Sequence, residues 1–281
     1  MLKHRALSAA LLAALACAAG PATAHAASAT DGTPGARGAA GTAPAVHGVS
    51  IPATDLRLLS QATHSRHSFR RPSQGMLEST NWAGYAATGH TYTSVASNWT
   101  EPSVTCTSKG IVGFWVGLDG LNSSTVEQTG TGVDCSNGTP QQFAWWETYP
   151  ANSVQVYNVP VSAGDQMSSS VVAQAHGGYV LALTDWTAGW RVENPVSLPA
   201  GKDASAEIIA EAVSAGNQIT TLPDFGQVEF TGSTIDTASL QAAGAQPIDM
   251  TDAHNNLIAA TTEADPDGDF DVDYTADVLT S

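Results

Sequence analysis

From about residue 76 to the carboxyl end, apolar and polar residues alternate in short runs, the two-residue period of a half-buried strand. These runs predict strands over 81–87, 93–100, 111–118, 143–149, 166–175, 179–187, 227–231 and 270–274. Turn signals separate them: Asp119-Gly120, Asn137-Gly138, His176-Gly177-Gly178, Ala188-Gly189 and Asp267-Gly268. Many short strands with turns between them predict one all-β body, a sandwich or a barrel. The stretch from Ser205 to Val213 resists this pattern, because its Ala, Glu and Ile content mildly favours helix. Glu207 and Glu211, four apart within it, share a face in either conformation. Near the carboxyl end Asp265, Asp267, Asp269, Asp271 and Asp273 alternate with other residues. A calcium loop would want a Glu where Ala276 stands, so the pattern predicts a hairpin with an Asp-Gly turn. Its strand buries Phe270, Val272 and Tyr274.

The amino end has a different character. Lys3 and Arg5 precede an apolar run from Ala6 to Ala19, and small residues around Ala22-Thr23-Ala24 and Ala24-His25-Ala26 offer cleavage sites. This predicts a secretory signal peptide over 1–26, with lipidation at Cys17 as the alternative. Residues 27–75 are rich in Ala, Gly, Thr, Ser and Pro and carry Arg37, Arg57, Arg66, Arg70 and Arg71. They read as a mostly disordered basic proregion. The body at 76–281 holds only Lys109, Arg191 and Lys202 against 24 Asp/Glu, a formal −21. A basic leader on an acidic body suggests an intramolecular electrostatic partner. Such a charge excludes a nucleic-acid partner, and an acidic environment suits it, because falling pH relieves carboxylate repulsion.

Once a signal peptide takes Cys17, Cys106 and Cys135 remain, and an oxidising compartment favours a bridge between them. No Cys/His metal spacing, His-Glu-x-x-His, Gly-x-Ser-x-Gly or phosphate-binding glycine loop occurs. No metal or cofactor is therefore expected. His90, His176 and His254 read as surface or turn residues. Carboxylates and amides are left to carry any chemistry.

Several segments in order carry a resemblance to the glutamic peptidases (eqolisins). They are Asn81-Trp82-Ala83-Gly84-Tyr85, Ser97-Asn98-Trp99-Thr100-Glu101-Pro102-Ser103, Trp115-Val116-Gly117-Leu118-Asp119-Gly120, Gln128-Thr129-Gly130, Ala144-Trp145-Trp146-Glu147-Thr148-Tyr149-Pro150, Ala206 to Glu211, and Val228-Glu229-Phe230-Thr231. The resemblance implies a sandwich of two large antiparallel sheets, concanavalin-like, with the active-site cleft on a concave face. It implies a strand at Ser205 to Val213. It also implies a secreted, extracellular acid endopeptidase, a monomer free of membrane in mature form. Protein or peptide substrates would be cut through a Gln128/Glu211 dyad, with the proregion as intramolecular inhibitor. Trp115, Asp119, Glu147 and Tyr149 match positions near the family cleft. Two positions depart from the pattern: Gly132 stands where the family often has Asp, and Phe143 where fungal members can have Asp. Asp134 is displaced by two from the first. Other readings stay open at this stage: a carbohydrate-binding sandwich stacking sugars on Trp145, Trp146, Trp186 and Trp190, a glycosidase using Glu147 and Glu211, or an inactive family member.

Overall fold

A computed structural model of the chain describes residues 76–275 apart from 122, together with three short strands nearer the amino end. The expected signal peptide, Cys17, most of the 27–75 leader and Ala276 lie outside the described residues. The early strands are β1 (Ala45–Val46), β2 (Ser50–Pro52) and β3 (Phe69–Arg70). The body follows with β4 (Leu77–Ser79), β5 (Trp82–Thr88), β6 (Ser94–Thr100), β7 (Ile111–Leu118), β8 (Val126–Asp134) and β9 (Gln141–Tyr149). Next come β10 (Asn152–Tyr157), β11 (Gln166–Gln174), β12 (Gly178–Asp185), β13 (Trp190–Ser197) and β14 (Ser205–Ala212). The last are β15 (Ser214–Ala215), β16 (Gln218–Ile219), β17 (Gln227–Ile235), β18 (Gln246–Thr251), β19 (Leu257–Thr261) and β20 (Phe270–Tyr274).

Pairing runs β10–β9–β8–β7–β14–β5–β18 across one sheet, then through the β18–β19–β20 hairpins into β17–β6–β11–β12–β13. These body strands pair antiparallel. The ribbon folds over, so that β11 and β12 lie against β7 and β8. The result is the two-sheet sandwich that the resemblance implied.

Strand alternation decides which residues fill it. Val112, Phe114, Val116 and Leu118 of β7 point into the main core, as do Ala206, Ile208, Ala210 and Ala212 of β14. The same strands carry Ile111, Trp115 and Ile209 on their other face, where Trp82, Phe143, Trp145 and Ile248 complete a second apolar cluster. Both faces of these central strands are therefore dry. That explains why β14 is a strand despite its helical propensity: both of its neighbours hydrogen-bond to it.

Alternation alone missed β8. Its sequence, Val-Glu-Gln-Thr-Gly-Thr-Gly-Val-Asp, is buried at every position and has no polar face to reveal a period. A Cβ at Gly130 would stand 2.1 Å from the Phe114 carbonyl oxygen and 2.7 Å from the Trp115 Cα. Glycine is what lets β8 lie close on β7. The alternation also passed over β10 and β13 towards the ends of the ribbon and β18 and β19 within it. The aspartate-rich segment forms the expected hairpin, closed by Asp265 Oδ1 accepting from the backbone N–H groups of Asp267 and Asp269. Phe270 and Val272 are buried there, while Tyr274 is only half-buried. His90, His176 and His254 are exposed, as expected.

The tryptophans correct one reading. Trp145, Trp146 and Trp190 are buried, and only Trp186 is exposed (61%). The row of exposed indoles needed for sugar stacking does not exist.

Cys106 and Cys135 form a disulfide with a Cα–Cα distance of 5.3 Å, joining the segment before β7 to the end of β8 across 29 residues. A loop of that length restricts the unfolded chain by roughly 3–4 kcal/mol. The double substitution Cys106→Ser/Cys135→Ser is expected to lower unfolding free energy by about that amount in denaturant titration. A change under about 1 kcal/mol would show that the bridge is dispensable.

Candidate active site

The site lies on the second face of the central sheet, opposite the main core. Two rows of cross-strand partners define it. One row runs Glu207–Gly117–Gln128–Glu147 over β14, β7, β8 and β9. The other runs Trp82–Glu211–Gly113–Gly132–Phe143, from β5 to β9. Gln128, Glu147 and Glu211 are all buried.

Two donors, one just before β5 and one on β7, hold the Glu211 carboxylate. Asn81 Nδ2 donates to Oε1 at 3.0 Å, and Trp115 Nε1 donates to Oε2 at 3.0 Å. A carboxylate buried beside the Trp82–Trp115–Phe143 cluster needs such donors, because burying it unpaired is costly. Gln128 is fixed independently: its Nε2 donates to Glu147 Oε2 at 2.8 Å. That leaves Gln128 Oε1 buried without a hydrogen-bond partner.

Trp115 connects the two halves. A Cβ at Gly117 would be 3.1 Å from Trp115 Cζ3 and 3.0 Å from Gln128 Cβ, and one at Gly113 would be 3.5 Å from Trp115 Cδ1. The indole therefore lies along its own strand over two glycines. Its N–H end serves Glu211 and its benzo end approaches Gln128. Trp82 packs edge-on against it at 5.1 Å between ring centroids, and Phe69 of β3 packs edge-on against Trp82 at 5.8 Å.

The two departures from the family pattern turn out to be one unit. Gly132 and Phe143 are direct cross-strand partners, and a Cβ at Gly132 would stand 2.6 Å from Phe143 Cζ. The Phe143 ring fills the space that a side chain at 132 would occupy. A large aromatic and a glycine thus replace two polar side chains by packing.

The remaining expected residues are placed as follows. Tyr149, at the end of β9, is partly exposed. Asp119 is fully buried, and its carboxylate accepts from the N–H groups of Lys202, Asp203 and Ala204 and from Thr125 Oγ1, at 2.6 to 3.0 Å. It anchors the segment that leads into β14 and makes none of the hydrogen bonds that hold Gln128 or Glu211. Glu207 is on the site face in register with Gly117, wholly buried, with its carboxyl well above the ordinary range because burial opposes ionisation. Asn81 was missed as a site residue. Its only signal was its place before Trp82 in the Asn-Trp segment.

Burial pushes Glu147 up to about 8, opposed by the Gln128 hydrogen bond and aided by the nearby Glu211 carboxylate. In the main core, burial likewise pushes Glu101 up to about 8, although Thr131 Oγ1 and Trp99 Nε1 donate to it.

This fold and site define a β-sandwich whose buried amide and carboxylates sit on one sheet face. Residues 80–274 match the Peptidase A4 family. The chain belongs to that family. Aspergillopepsin-2 of Aspergillus niger is 29% identical over 179 residues, covering 55% of this chain and 64% of the relative. Scytalidopepsin B of Scytalidium lignicola is 30% identical over 117 residues, covering 42% of this chain and 44% of the relative. The chain thus spans less than two thirds of either relative. Among solved structures, scytalido-glutamic peptidase with a peptide-based transition-state analogue superposes with a TM-score of 0.60 at 26% identity, over 69% of this chain and 98% of that one.

The raised carboxyls give a pH dependence of definite sign. Glu101 and Glu147 stay neutral in the fold up to about pH 8, whereas in the unfolded chain they ionise near pH ~4.3. Their contribution is complete below ~4.3 and is lost as pH rises towards 8, by up to about 1.4 kcal/mol per pH unit per group. Thermal unfolding should therefore occur at progressively lower temperature between about pH 4.5 and pH 8. Glu101→Gln, which keeps both acceptor contacts, should flatten that slope; an unchanged slope would remove Glu101 from the account.

Proposed function

We propose that this chain is a secreted endopeptidase that hydrolyses peptide bonds at acidic pH through Gln128 and Glu211. The observation that carries the reading is the held carboxylate: two N–H donors fix Glu211 on the same dry face as an amide fixed by Glu147. The two donors aim the carboxylate oxygens away from the apolar rings. The carboxylate takes a proton from water as the water oxygen attacks the peptide carbonyl carbon. The carbonyl oxygen becomes an oxyanion. Glu211 then returns the proton to the leaving nitrogen as the carbon–nitrogen bond breaks, giving a carboxylic acid and an amine.

Gln128 has two amide hydrogens, and Glu147 takes one. The second meets the oxyanion, an interaction worth roughly 3–4 kcal/mol in comparable sites. Its unpartnered Oε1 faces the attacking water. Glu147, neutral at working pH, sets the plane of the amide. Trp115 is a positioning residue for Glu211. Tyr149 at the open end of β9 and the Asp119-anchored segment shape the approach of substrate. Peptide substrates are also consistent with the related scytalido-glutamic peptidase, which is solved with a peptide-based transition-state analogue.

In the same reading residues 1–26 direct secretion, 27–75 form an inhibitory proregion and 76–281 form the enzyme. What supports inhibition by the leader is that β3 pairs with β4, placing Phe69 opposite Ser79 and packing its ring on Trp82 beside the site. Leader arginines facing an acidic body would add attraction near neutrality that weakens as carboxylates protonate.

Glu211→Gln is expected to abolish casein hydrolysis while leaving the thermal transition in place, and Gln128→Ala to do nearly the same. Activity within about threefold of the parent chain in either variant would refute the dyad.

Maturation gives a separate test. The full-length protein, incubated at about pH 4 and about pH 7, should shed its leader only at the lower pH. Phe69→Ala should release activity at neutral pH. If the Glu211→Gln chain matures as fast as the parent at acidic pH, processing is carried out by an outside protease.

A further inference from the structure

Away from the Gln128–Glu211 pair, the described residues concentrate carboxylates at one end of the sandwich, where β7 turns into β8. Asp119, Glu127 and Asp203 each bring an oxygen there, and these oxygens all lie within 4.8 Å of one another. Glu127 is fully buried, and neither of its carboxylate oxygens has a hydrogen-bond partner. A buried acceptor left unsatisfied is costly and asks for an occupant. Among the described residues the single ion pair is Arg191 with Glu193, so no basic side chain answers this cluster.

The surroundings look built. Asp119 and Asp203 both adopt left-handed backbone conformations, with φ of 64° and 52°. Tyr179 Oη donates to Asp203 Oδ1 at 2.7 Å, fixing that carboxylate. A Cβ at Gly201 would stand 2.0 Å from Tyr179 Oη and 3.1 Å from Glu127 Oε1, so only glycine leaves the space beside Glu127 open. Asp119 is turned by the three backbone N–H groups of the 202–204 segment, with only one of its four hydrogen bonds falling on Oδ1.

We propose that Glu127, Asp203 and Asp119 form a binding site for a hard divalent cation of the calcium type. An all-oxygen, carboxylate-rich donor set without nitrogen or sulfur selects such an ion. Glu127 offers both oxygens, Asp203 its second oxygen and Asp119 its Oδ1. The ligands come from three separate segments, so no sequence spacing announces them. The ion would tie the β7–β8 connection to the segment that feeds β14, the strand of Glu211. Without an ion, burial pushes Glu127 up to about 9, so a proton is the competing occupant.

The test uses the full-length chain carrying Glu211→Gln, which prevents self-digestion. Calcium chloride in the millimolar range at near-neutral pH should raise the thermal midpoint, whereas sodium chloride of equal ionic strength should not. Terbium should show luminescence sensitised through Tyr179, displaced by calcium. Adding Glu127→Gln should remove both effects. Asp203→Asn is the second variant, should the first fail to fold. The proposal is overturned if calcium leaves the midpoint unchanged, so that protons alone occupy the cluster. It is equally overturned if both variants keep the response, which would assign the ion to the exposed Asp265–Asp273 run.

Discussion

The structure depends on holding one buried carboxylate, Glu211, beside an apolar cluster on a face it shares with Gln128, Glu147 and Glu207. Glu211 projects into the cluster of Trp82, Trp115 and Phe143, where an unpaired charge would be expelled or neutralised. Asn81 and Trp115 prevent this with one N–H each, from either side of β14. Much of the neighbouring sequence follows from that need. Trp115 reaches Glu211 because its ring lies along β7, and the ring can lie flat because Gly113 and Gly117 give it room. Gly130 then lets β8 approach closely enough for Gln128 to enter the same surface.

Burial dominates the titration of several other buried carboxyls. Glu101, Glu147 and Glu207 have been taken out of water without a basic partner, and burial favours their neutral forms. A protein with so few Lys and Arg in its body has little else with which to answer them. An acidic medium supplies the missing protons from solvent. The body charge and the buried carboxyls are both relieved as pH falls, one by composition and the other by packing.

Aromatic packing joins the leader to the site. Phe69, Trp82 and Trp115 stack edge to face in sequence, and the last of them holds Glu211. Arginine content alone suggested a charged leader meeting a charged body. The structure adds an apolar contact, which has no charge to lose when pH changes.

Local pattern sufficed for β5, β6, β7, β9, β11, β12, β17 and β20, for the turns at Asp119-Gly120 and Gly189, and for the all-β class. Ordered motifs supplied the family and the candidates Gln128, Glu211, Trp115 and Glu147, which the structure gathers on one sheet face. Local pattern could not find β8, because its Glu, Gln, Thr and Gly residues form neither an apolar run nor an alternation, and its glycines answer the backbone of β7. Nor could it find Asn81 as a partner of Glu211, since the two are 130 residues apart and meet only across β5 and β14. The same holds for Gly132 with Phe143, read separately as two departures yet one packing unit across β8 and β9, and for Asp119, Glu127 and Asp203 gathered at one end of the sandwich. Residue types and their order along the chain fix which chemistry is available. Which side chains touch is decided by strand register between distant segments, and that exists only once the sheet has formed.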